Sequence, residues 1–321
     1  MSNNNQSKVN CLNIAYIFKT SLGSINGSWT EGNVSTVKKI TLPDGNQLPY
    51  VSGQSLKYQI KKGWREMGET LSEIKATENV KGVDVSLGEP QNYIDDDLFG
   101  FMIATSGENR RRTAPIRCSA AIGIFPYQGD RDLGTKSKEQ TGDDMGSGGN
   151  IFETEIYYNY FKVNILVELD RIGTYQKFEL AKAKKDKVKN LSIEDKRKRV
   201  VTFLKSLSNV WGGGKQSRIL TDVSPKFLAV TFQSAKSPIF LEGLNVNKKE
   251  ELDTITIQQI LSDHSNIIDK KIIGLRSGIF NNNVSDAFKS ETDKTDEKEF
   301  TLPSIQTAFD EAIKYVNDLD F

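Results

Sequence analysis

Residues that usually carry hydrolytic or metal chemistry are scarce in this sequence. It has one histidine, His264, and two cysteines, Cys11 and Cys118, neither of which belongs to a CxxC spacing. Zinc sites and histidine relays need several such residues close together, and no serine lies in a GxSxG turn. We therefore expect His264 in a solvated loop or at a helix end. Hydrolysis is disfavoured, while carboxylate chemistry stays open.

The segment from Tyr50 to Arg65 has the residue types needed to hold a phosphate group. Ser52 can cap a helix start, where free N–H groups and the helix dipole favour an anion. On a helical wheel the apolar residues share one side: Leu56, Ile60, Trp64 and Met67. The opposite side is polar and cationic: Gln54, Lys57, Tyr58, Lys61 and Arg65. A capped surface helix without a ligand fits the same pattern, so spacing alone leaves both interpretations open.

A second candidate is the glycine-rich run that follows Trp211. It departs from a P-loop, because GxxxxGK[ST] would require glycine in place of Asn209 and serine or threonine in place of Gln216. Backbone amides and an ammonium group can still lie along a phosphodiester. The residues suited to this are Gly213, Gly214, Lys215 and Gln216. A helix cap followed by a flexible connector is the competing interpretation.

Three other charged groups are less specific. An arginine cluster could hold backbone phosphates or be solvated: Arg110, Arg111 and Arg112. The stretch 182–199 has nine basic and three acidic residues, and it could contact nucleic acid or form a solvated face. The adjacent carboxylates from Asp95 to Asp97 are expected to cap the following helix rather than to bind a metal.

Composition indicates a folded chain without a membrane segment. The 321 residues suffice for one large domain or two modest ones. With 43 Lys+Arg against 42 Asp+Glu the net charge is +1, which by itself does not indicate a polyanion partner. The 16 Phe and 10 Tyr are too many for a disordered chain. The sequence has no signal-peptide pattern and no apolar run of about 20 residues, so we expect a cytoplasmic protein.

Alternation and helical spacing predict the elements that must position these residues. Strands are expected at 9–18, 114–127, 152–169 and 227–232, and helices at 52–67, 192–211 and 302–315. A polar loop at 19–31 has Trp29 as its one apolar anchor, and 128–150 is expected to be an exposed, mobile excursion. This order of elements suits an α+β fold with a ferredoxin-like sheet and large insertions.

Six motifs lie in order along the chain. They are Val51-Ser-Gly-Gln-Ser-Leu-Lys57, Asp97-Leu-Phe-Gly100, the glycine-rich loop and tyrosine-rich strand at 148–160, Gly214-Lys-Gln216, Pro225 before a strand at 227–230, and Leu302-Pro-Ser-Ile-Gln-Thr-Ala-Phe309. Together they resemble the backbone subunit of type I CRISPR Cascade complexes. The long polar insertions look closest to the DevR branch, of type I-B systems.

The resemblance implies a hand-shaped α+β subunit. One discontinuous RRM-like palm would span 1–321, with strands at 9–18, 114–125, 157–169 and 227–232, a helical finger region inserted at 69–110 and a thumb hairpin at 128–156. Several copies would polymerise along one CRISPR RNA and present its spacer for pairing with target DNA. The implied partners are CRISPR RNA, the target DNA strand through the guide heteroduplex, further copies of the chain and other Cascade subunits. No enzymatic activity, cofactor or membrane is implied.

RNA contacts carry over from the family onto matching positions. They comprise Asn26 in the first loop, Ser52, Gln54, Ser55 and Lys57 in the first helix, and Lys215 and Gln216 in the glycine-rich run. Lys61 and Arg65 join them by wheel geometry. Gly53 stands where relatives often have serine and Tyr58 where they often have arginine, so the contacts that serine and arginine make in relatives are not carried over to these two positions. Met145 could wedge between bases.

Two alternatives stay open. Related backbone subunits of type III complexes cut target RNA with a loop aspartate and a metal ion. The acids in a comparable loop are Asp130, Asp132, Asp143 and Asp144, and no motif singles one out. The other alternative is a DNA-binding regulator that acts without guide RNA.

Overall fold

A computed structural model describes residues 9–76, 84–105, 108–136, 150–181, 188–289 and 300–321. The amino-terminal part contains strands β1 (Cys11–Gly23), β2 (Gly27–Glu31), β3 (Val34–Val37), β4 (Lys39–Thr41) and β5 (Gln47–Val51), followed by helix α1 (Gly53–Glu66). Next come β6 (Ile74–Ala76), β7 (Asp84–Ser86), α2 (Ile94–Phe99), β8 (Phe101–Thr105) and β9 (Glu108–Arg112).

The middle of the chain contributes five more strands: β10 (Ile116–Cys118), β11 (Ala121–Gly123), β12 (Arg131–Lys136), β13 (Asn150–Glu155) and β14 (Tyr157–Glu168). The remainder holds α3 (Ile193–Ser208), β15 (Phe227–Gln233), α4 (Thr254–Asp263), β16 (Ile268–Leu275), α5 (Val284–Ala287) and α6 (Ile305–Asp318). Within the described ranges, no helix is long and apolar enough to cross a bilayer.

An antiparallel sheet of eight strands forms the centre of the molecule. Its order is β16-β15-β1-β14-β11-β5-β4, and β10 also pairs with β14. Strand β1 pairs with β14 from Cys11 opposite Glu168 and with β15 from Cys11 opposite Gln233. The expected α+β class with an antiparallel sheet is confirmed.

Both faces of this sheet are covered. On one face the even-numbered β1 residues, such as Ile14 and Phe18, pack against α1, α3 and α6 in a large core. On the other face Ala15 and Ile17 pack against the chain between residues 239 and 288, which includes α4 and α5. RRM domains bind RNA by stacking bases on an open sheet face. Here the corresponding face is buried, so bases have no access to it, and the RRM-like character of the palm stays a prediction.

A second sheet, with strand order β12-β13-β3-β2, lies at the end of β1. Strands β12 and β13 form the antiparallel hairpin expected within 128–156, so residues 131–136 are a strand rather than a loop. The expected loop at 19–31 is also wrong: β1 continues to Gly23 and β2 begins at Gly27. Trp29 anchors nothing, since its side chain is 86% exposed.

The finger region at 69–110 is not mainly helical. In its described residues α2 is the one helix, and β6 with β7 and β8 with β9 form hairpins. Gly100 ends α2 after six residues by taking φ 70°, with the Arg112 carbonyl oxygen packed where a side chain would be. The expected strand at 114–127 is divided into β10 and β11, and the one at 152–169 is divided between the two sheets.

Candidate nucleic-acid interface

The start of α1 is held by two polar side chains, one of them distant in sequence. Ser52 is the N-cap, and its hydroxyl accepts a hydrogen bond from the Ser55 amide at 3.3 Å, as predicted. The Ser52 amide donates to Asn26 Oδ1 at 2.9 Å. Asn26 therefore orients the helix entrance from the connection between β1 and β2.

Helix α1 presents three different sides. Leu56, Ile60 and Trp64 are buried in the main core, as the wheel predicts, whereas Met67 lies at the C-cap and is exposed. The cationic side faces the finger hairpin β6–β7 and α2. The third side, with Gln59 and Lys62, faces the glycine-rich run.

All five residues predicted for the polar side of α1 line one cleft of about 350 Å³. They are Gln54, Lys57, Tyr58, Lys61 and Arg65. The opposite wall contains Ile74 and Phe99 together with Ser86 and the carboxylates of Asp95 and Asp96. The structure thus brings these predicted residues together in a groove that is open to solvent and cationic along one rim.

Two lysines in this cleft have distinct environments. Lys57 Nζ lies 5.1 Å from the centroid of the Phe99 ring, and burial lowers the pKa of Lys57. Lys61 Nζ lies 2.7 Å from Asp95 Oδ2, whose carboxylate is buried. Much of the Lys61 charge is therefore balanced within the chain, whereas no carboxylate lies within ion-pair distance of Lys57 in the described residues.

The glycine-rich run is fixed against the connection that carries Asn26. The Gly214 amide donates to the Ile25 carbonyl at 2.5 Å. A Cβ on Gly213 would lie 2.7 Å from Ile25 Cγ2, and one on Gly214 would lie 2.8 Å from the Ser24 carbonyl oxygen. Only glycine permits this approach. The run is therefore a packed element rather than a flexible connector, and it lies beside the entrance of α1.

Lys215 points from this run toward the second sheet. Its backbone has φ 59°, and its Nζ donates to Ser35 Oγ at 3.0 Å. The residue is exposed, and Ser35 is its hydrogen-bond partner in the described chain. Gln216 is half-buried, with its amide directed toward Gly212. Lys215 thus presents a charge next to the helix entrance.

The arginine cluster is a correction. The Arg112 side chain is buried and donates all five of its N–H groups, to the carbonyls of Asp97, Arg171 and Thr174 and to the carboxylates of Asp97 and Glu179. Arg110 is buried and donates to the Gly88 and Leu87 carbonyls. Arg111, between them on the strand, is exposed. Arg110 and Arg112 are therefore neither solvated nor free to hold a phosphate.

The acidic triplet is a second correction. Asp95, Asp96 and Asp97 lie inside α2 and are buried, so they do not act as caps of that helix. Asp97 accepts from the guanidinium groups of Arg112 and Arg199 and from the Gly173 amide. In the described part of the basic stretch, Lys196 and Arg197 contact the carboxyl-terminal residues 319–321. These charges join segments of the fold.

Some contacts around the candidate site could not be predicted from the local sequence. Arg218 Nη2 donates to Thr154 Oγ1 at 2.6 Å, and its guanidinium lies 4.5 Å from the Phe152 ring centroid. Lys62 Nζ lies 3.9 Å from the centroid of Trp211. These contacts hold the second sheet and α1 against the two ends of the glycine-rich run, and nothing in the local spacing predicts them.

The remaining predicted residues do not form a metal site in the described chain. Met145, Asp143 and Asp144 lie outside the described residues. Asp132 Oδ2 lies 3.9 Å from the Arg218 guanidinium. Among the residues that the structure describes, no three His, Cys, Asp or Glu side chains are grouped to hold a metal. His264 is the C-cap of α4, in agreement with the expected helix-end position.

Comparisons with known proteins agree with this arrangement. The family model "CRISPR-associated negative auto-regulator DevR/Csa2" matches residues 14–251. The curated "CRISPR-associated protein Cas7/Cst2/DevR" of Myxococcus xanthus (strain DK1622) is 26% identical over 155 residues, which cover 43% of this chain and 51% of that protein. The chain thus spans about half the length of this relative.

Solved structures show the same fold at low sequence identity. A chain of a "CRISPR RNA-guided surveillance complex, pre-nicking" superposes with a TM-score of 0.56 at 14% identity, covering 95% of this chain and 100% of that one. A chain of a second "CRISPR RNA-guided surveillance complex" gives 0.52 at 17% identity, covering 95% and 99%.

Proposed function

The chain belongs to the DevR/Csa2 family of CRISPR-associated proteins, and we propose that it is the RNA-binding backbone subunit of a type I-B surveillance complex. Several copies would lie along the spacer of one CRISPR RNA and present its bases to target DNA. In this proposal the subunit is a scaffold: phosphate contacts provide affinity, and base pairing provides sequence recognition.

One observation carries the proposal. Two polar motifs about 160 residues apart in sequence meet at the Ser24–Asn26 connection. They are helix α1, with its cationic side, and the run from Gly213 to Gln216. Helix α1 supplies side-chain cations and a capped helix start. The glycine-rich run supplies backbone packed closely against the Ser24–Asn26 connection, and the Lys215 ammonium group. A surface of this kind suits a sugar–phosphate chain.

The covered central sheet supports a path for RNA along α1. Because residues 239–288 occupy the face that an RRM uses, bases have no access to the strand surface there. The groove between α1, the finger hairpin and α2 is open to solvent and carries the predicted contact residues of α1. We place the RNA backbone in this groove.

The proposal is tested by purifying the full chain, co-expressed with its neighbouring subunits and a guide array, after nuclease treatment. We expect a discrete short RNA to remain protected and to be lost when Lys57 and Lys215 are both changed to alanine. Recovery of the intact complex with no discrete RNA would overturn the proposal.

We propose that the subunit does not cut RNA. The assembled complex is incubated with complementary RNA and Mg²⁺, and the RNA should stay intact. Regular cuts that disappear in one of the variants Asp130→Ala, Asp132→Ala, Asp143→Ala or Asp144→Ala would instead establish a metal-dependent nuclease.

The family description favours one second candidate, a negative regulator that binds DNA. This candidate predicts that the purified chain, free of RNA, shifts a duplex from its own promoter and not a scrambled duplex. The scaffold proposal predicts equal and weak binding of both duplexes.

A further inference from the structure

Tyr58 occupies the middle of the cationic side of α1 and is unused by the fold. Its side chain is 60% exposed although the neighbouring positions Leu56 and Ile60 are buried. In the part of the chain that the structure describes, no other ring packs on it and its hydroxyl has no hydrogen-bond partner. Leaving a large ring in water gives no stability, so the folded chain alone does not account for this residue.

The residues around Tyr58 are those that contact a nucleic-acid backbone. Lys57 and Lys61 flank it on the same side of the helix, and Gln54 and Arg65 lie about one and two turns away. Arg65 is exposed and has no ion pair with a described residue. Sites for single-stranded RNA combine such cations with an aromatic ring on which a base stacks.

The opposite wall of the cleft presents two apolar side chains beside the carboxylates of Asp95 and Asp96. Ile74, on the finger hairpin, is 66% exposed and lines the same cleft as Tyr58. Phe99 lines it too and is held by stacking on Trp64, with the ring centroids 4.9 Å apart. A flat group entering the cleft would therefore meet a ring on one side and, on the other, the carbon of Ile74 and Phe99 next to Asp96 and the Asp95–Lys61 ion pair.

We propose that Tyr58 is the stacking platform for an unpaired nucleobase of the bound RNA, received in the cleft between α1 and the β6–β7 hairpin. This inference rests on the proposed RNA-binding function and extends it from phosphate contacts to a base contact. A base in a duplex cannot reach the cleft, so the occupant is a base that is turned out of the stacked strand. Tyr58 then provides a stacking contact that carries no charge.

The test uses the assembled complex reconstituted on a guide RNA that carries 4-thiouridine at single positions. Irradiation should cross-link one spacer position per subunit to the peptide Tyr58–Lys61, identified by mass spectrometry. Tyr58→Ala should weaken RNA binding roughly 5- to 150-fold and remove the cross-link, while Tyr58→Phe should retain both. Phe178→Ala is the matched control, because Phe178 is 59% exposed and lies outside the cleft.

Salt dependence separates stacking from charge. Tyr58→Ala should lower affinity equally at every salt concentration, whereas loss of a phosphate contact also lowers the slope of log K against log salt. If wild type and Tyr58→Ala bind RNA equally, with the cross-link elsewhere, the inference is wrong and the proposed function stands. If the variant keeps RNA but loses a neighbouring subunit, Tyr58 is a protein contact and the inference is again wrong. Absence of RNA from wild type would overturn the proposed function itself.

Discussion

Nη2 of the Arg112 guanidinium lies 2.6 Å from Asp97 Oδ1. Both side chains are almost wholly shielded from water. Asp97 also accepts from Arg199 on α3, and Arg112 also donates to Glu179. The pair therefore ties the finger region to α3 and to the turns that follow β14.

Removal of one partner should destabilise the fold strongly. Arg112→Met would leave the Asp97 and Glu179 carboxylates buried without this cation, and loss of one member of a buried pair costs about 3–5 kcal/mol. We expect that loss in the free energy of unfolding by urea. Arg111→Met, on the adjacent exposed residue, is the control and should change stability little. Equal effects from the two variants would show that the network does not stabilise the fold.

The position of Gly53 explains why serine is absent there. A Cβ on Gly53 would lie 2.5 Å from the Cys118 carbonyl oxygen, which belongs to the backbone and cannot turn away. Gly53→Ala should therefore reduce stability by about 1–3 kcal/mol.

In the same helix a Cβ on Gly63 would meet Ser206 Cβ at 3.5 Å, an ordinary contact. Gly63→Ala should raise stability by about 0.5–1 kcal/mol. Thermal unfolding of both variants checks the opposite signs.

The salt dependence of RNA binding measures how many phosphate contacts Lys57 and Lys215 make. Each contact with a single strand contributes about 0.7 to the slope of log K against log salt. The double variant Lys57→Ala with Lys215→Ala should lower that slope by about 1.4 per subunit. Lys236→Ala with Lys270→Ala is the matched control, because these lysines pair with Asp170 and Glu311 away from α1. An unchanged slope would mean that Lys57 and Lys215 do not face phosphates.

Glu250 should make stability depend on pH. The hydroxyl of Tyr158 donates to its carboxylate, Lys19 Nζ lies 3.2 Å away, and these contacts lower the pKa of Glu250. A carboxyl group with a lowered folded-state pKa stabilises the fold above its ordinary value of 4.5, and this contribution is lost as the pH falls through the lowered pKa. Urea unfolding from pH 7 to pH 3 should show a smaller loss in Glu250→Gln than in wild type. Parallel curves would contradict this assignment.

Elements with local signals were predictable from the sequence. Ser52 and Ser192 cap α1 and α3, and apolar residues at helical spacing follow each of them. The strand at 227–232 was equally clear, since it is apolar except for Thr231 and buried on both faces. Strand β2 was not, because Trp29 is exposed and its strand is stabilised by pairing with β3 rather than by burial. The local sequence pattern reveals elements that are buried in the core. It does not reveal an element that is stabilised only by pairing with a neighbouring strand.

The candidate site was predictable in part for the same reason. Lys57, Lys61 and Arg65 share one side of α1 by helical spacing, and the cleft confirms it. The burial of Arg110 and Arg112 could not be deduced, because the acceptors of Arg112 include Thr174 and Glu179, more than 60 residues away. An isolated sequence shows that an arginine is charged. It does not show which carboxylate meets it.

The strands that pair with β1 are synthesised long after β1 itself. Cys11 pairs with Glu168 and with Gln233, so this inner strand of the sheet is made before both of the strands that flank it. Synthesis proceeds at about 5–20 residues per second, so a strand that is apolar over most of its length waits on the order of ten seconds for the first of them. A newly made chain is thus exposed to aggregation during that interval. Its yield in a cell should depend on chaperones that bind the nascent segment containing β1.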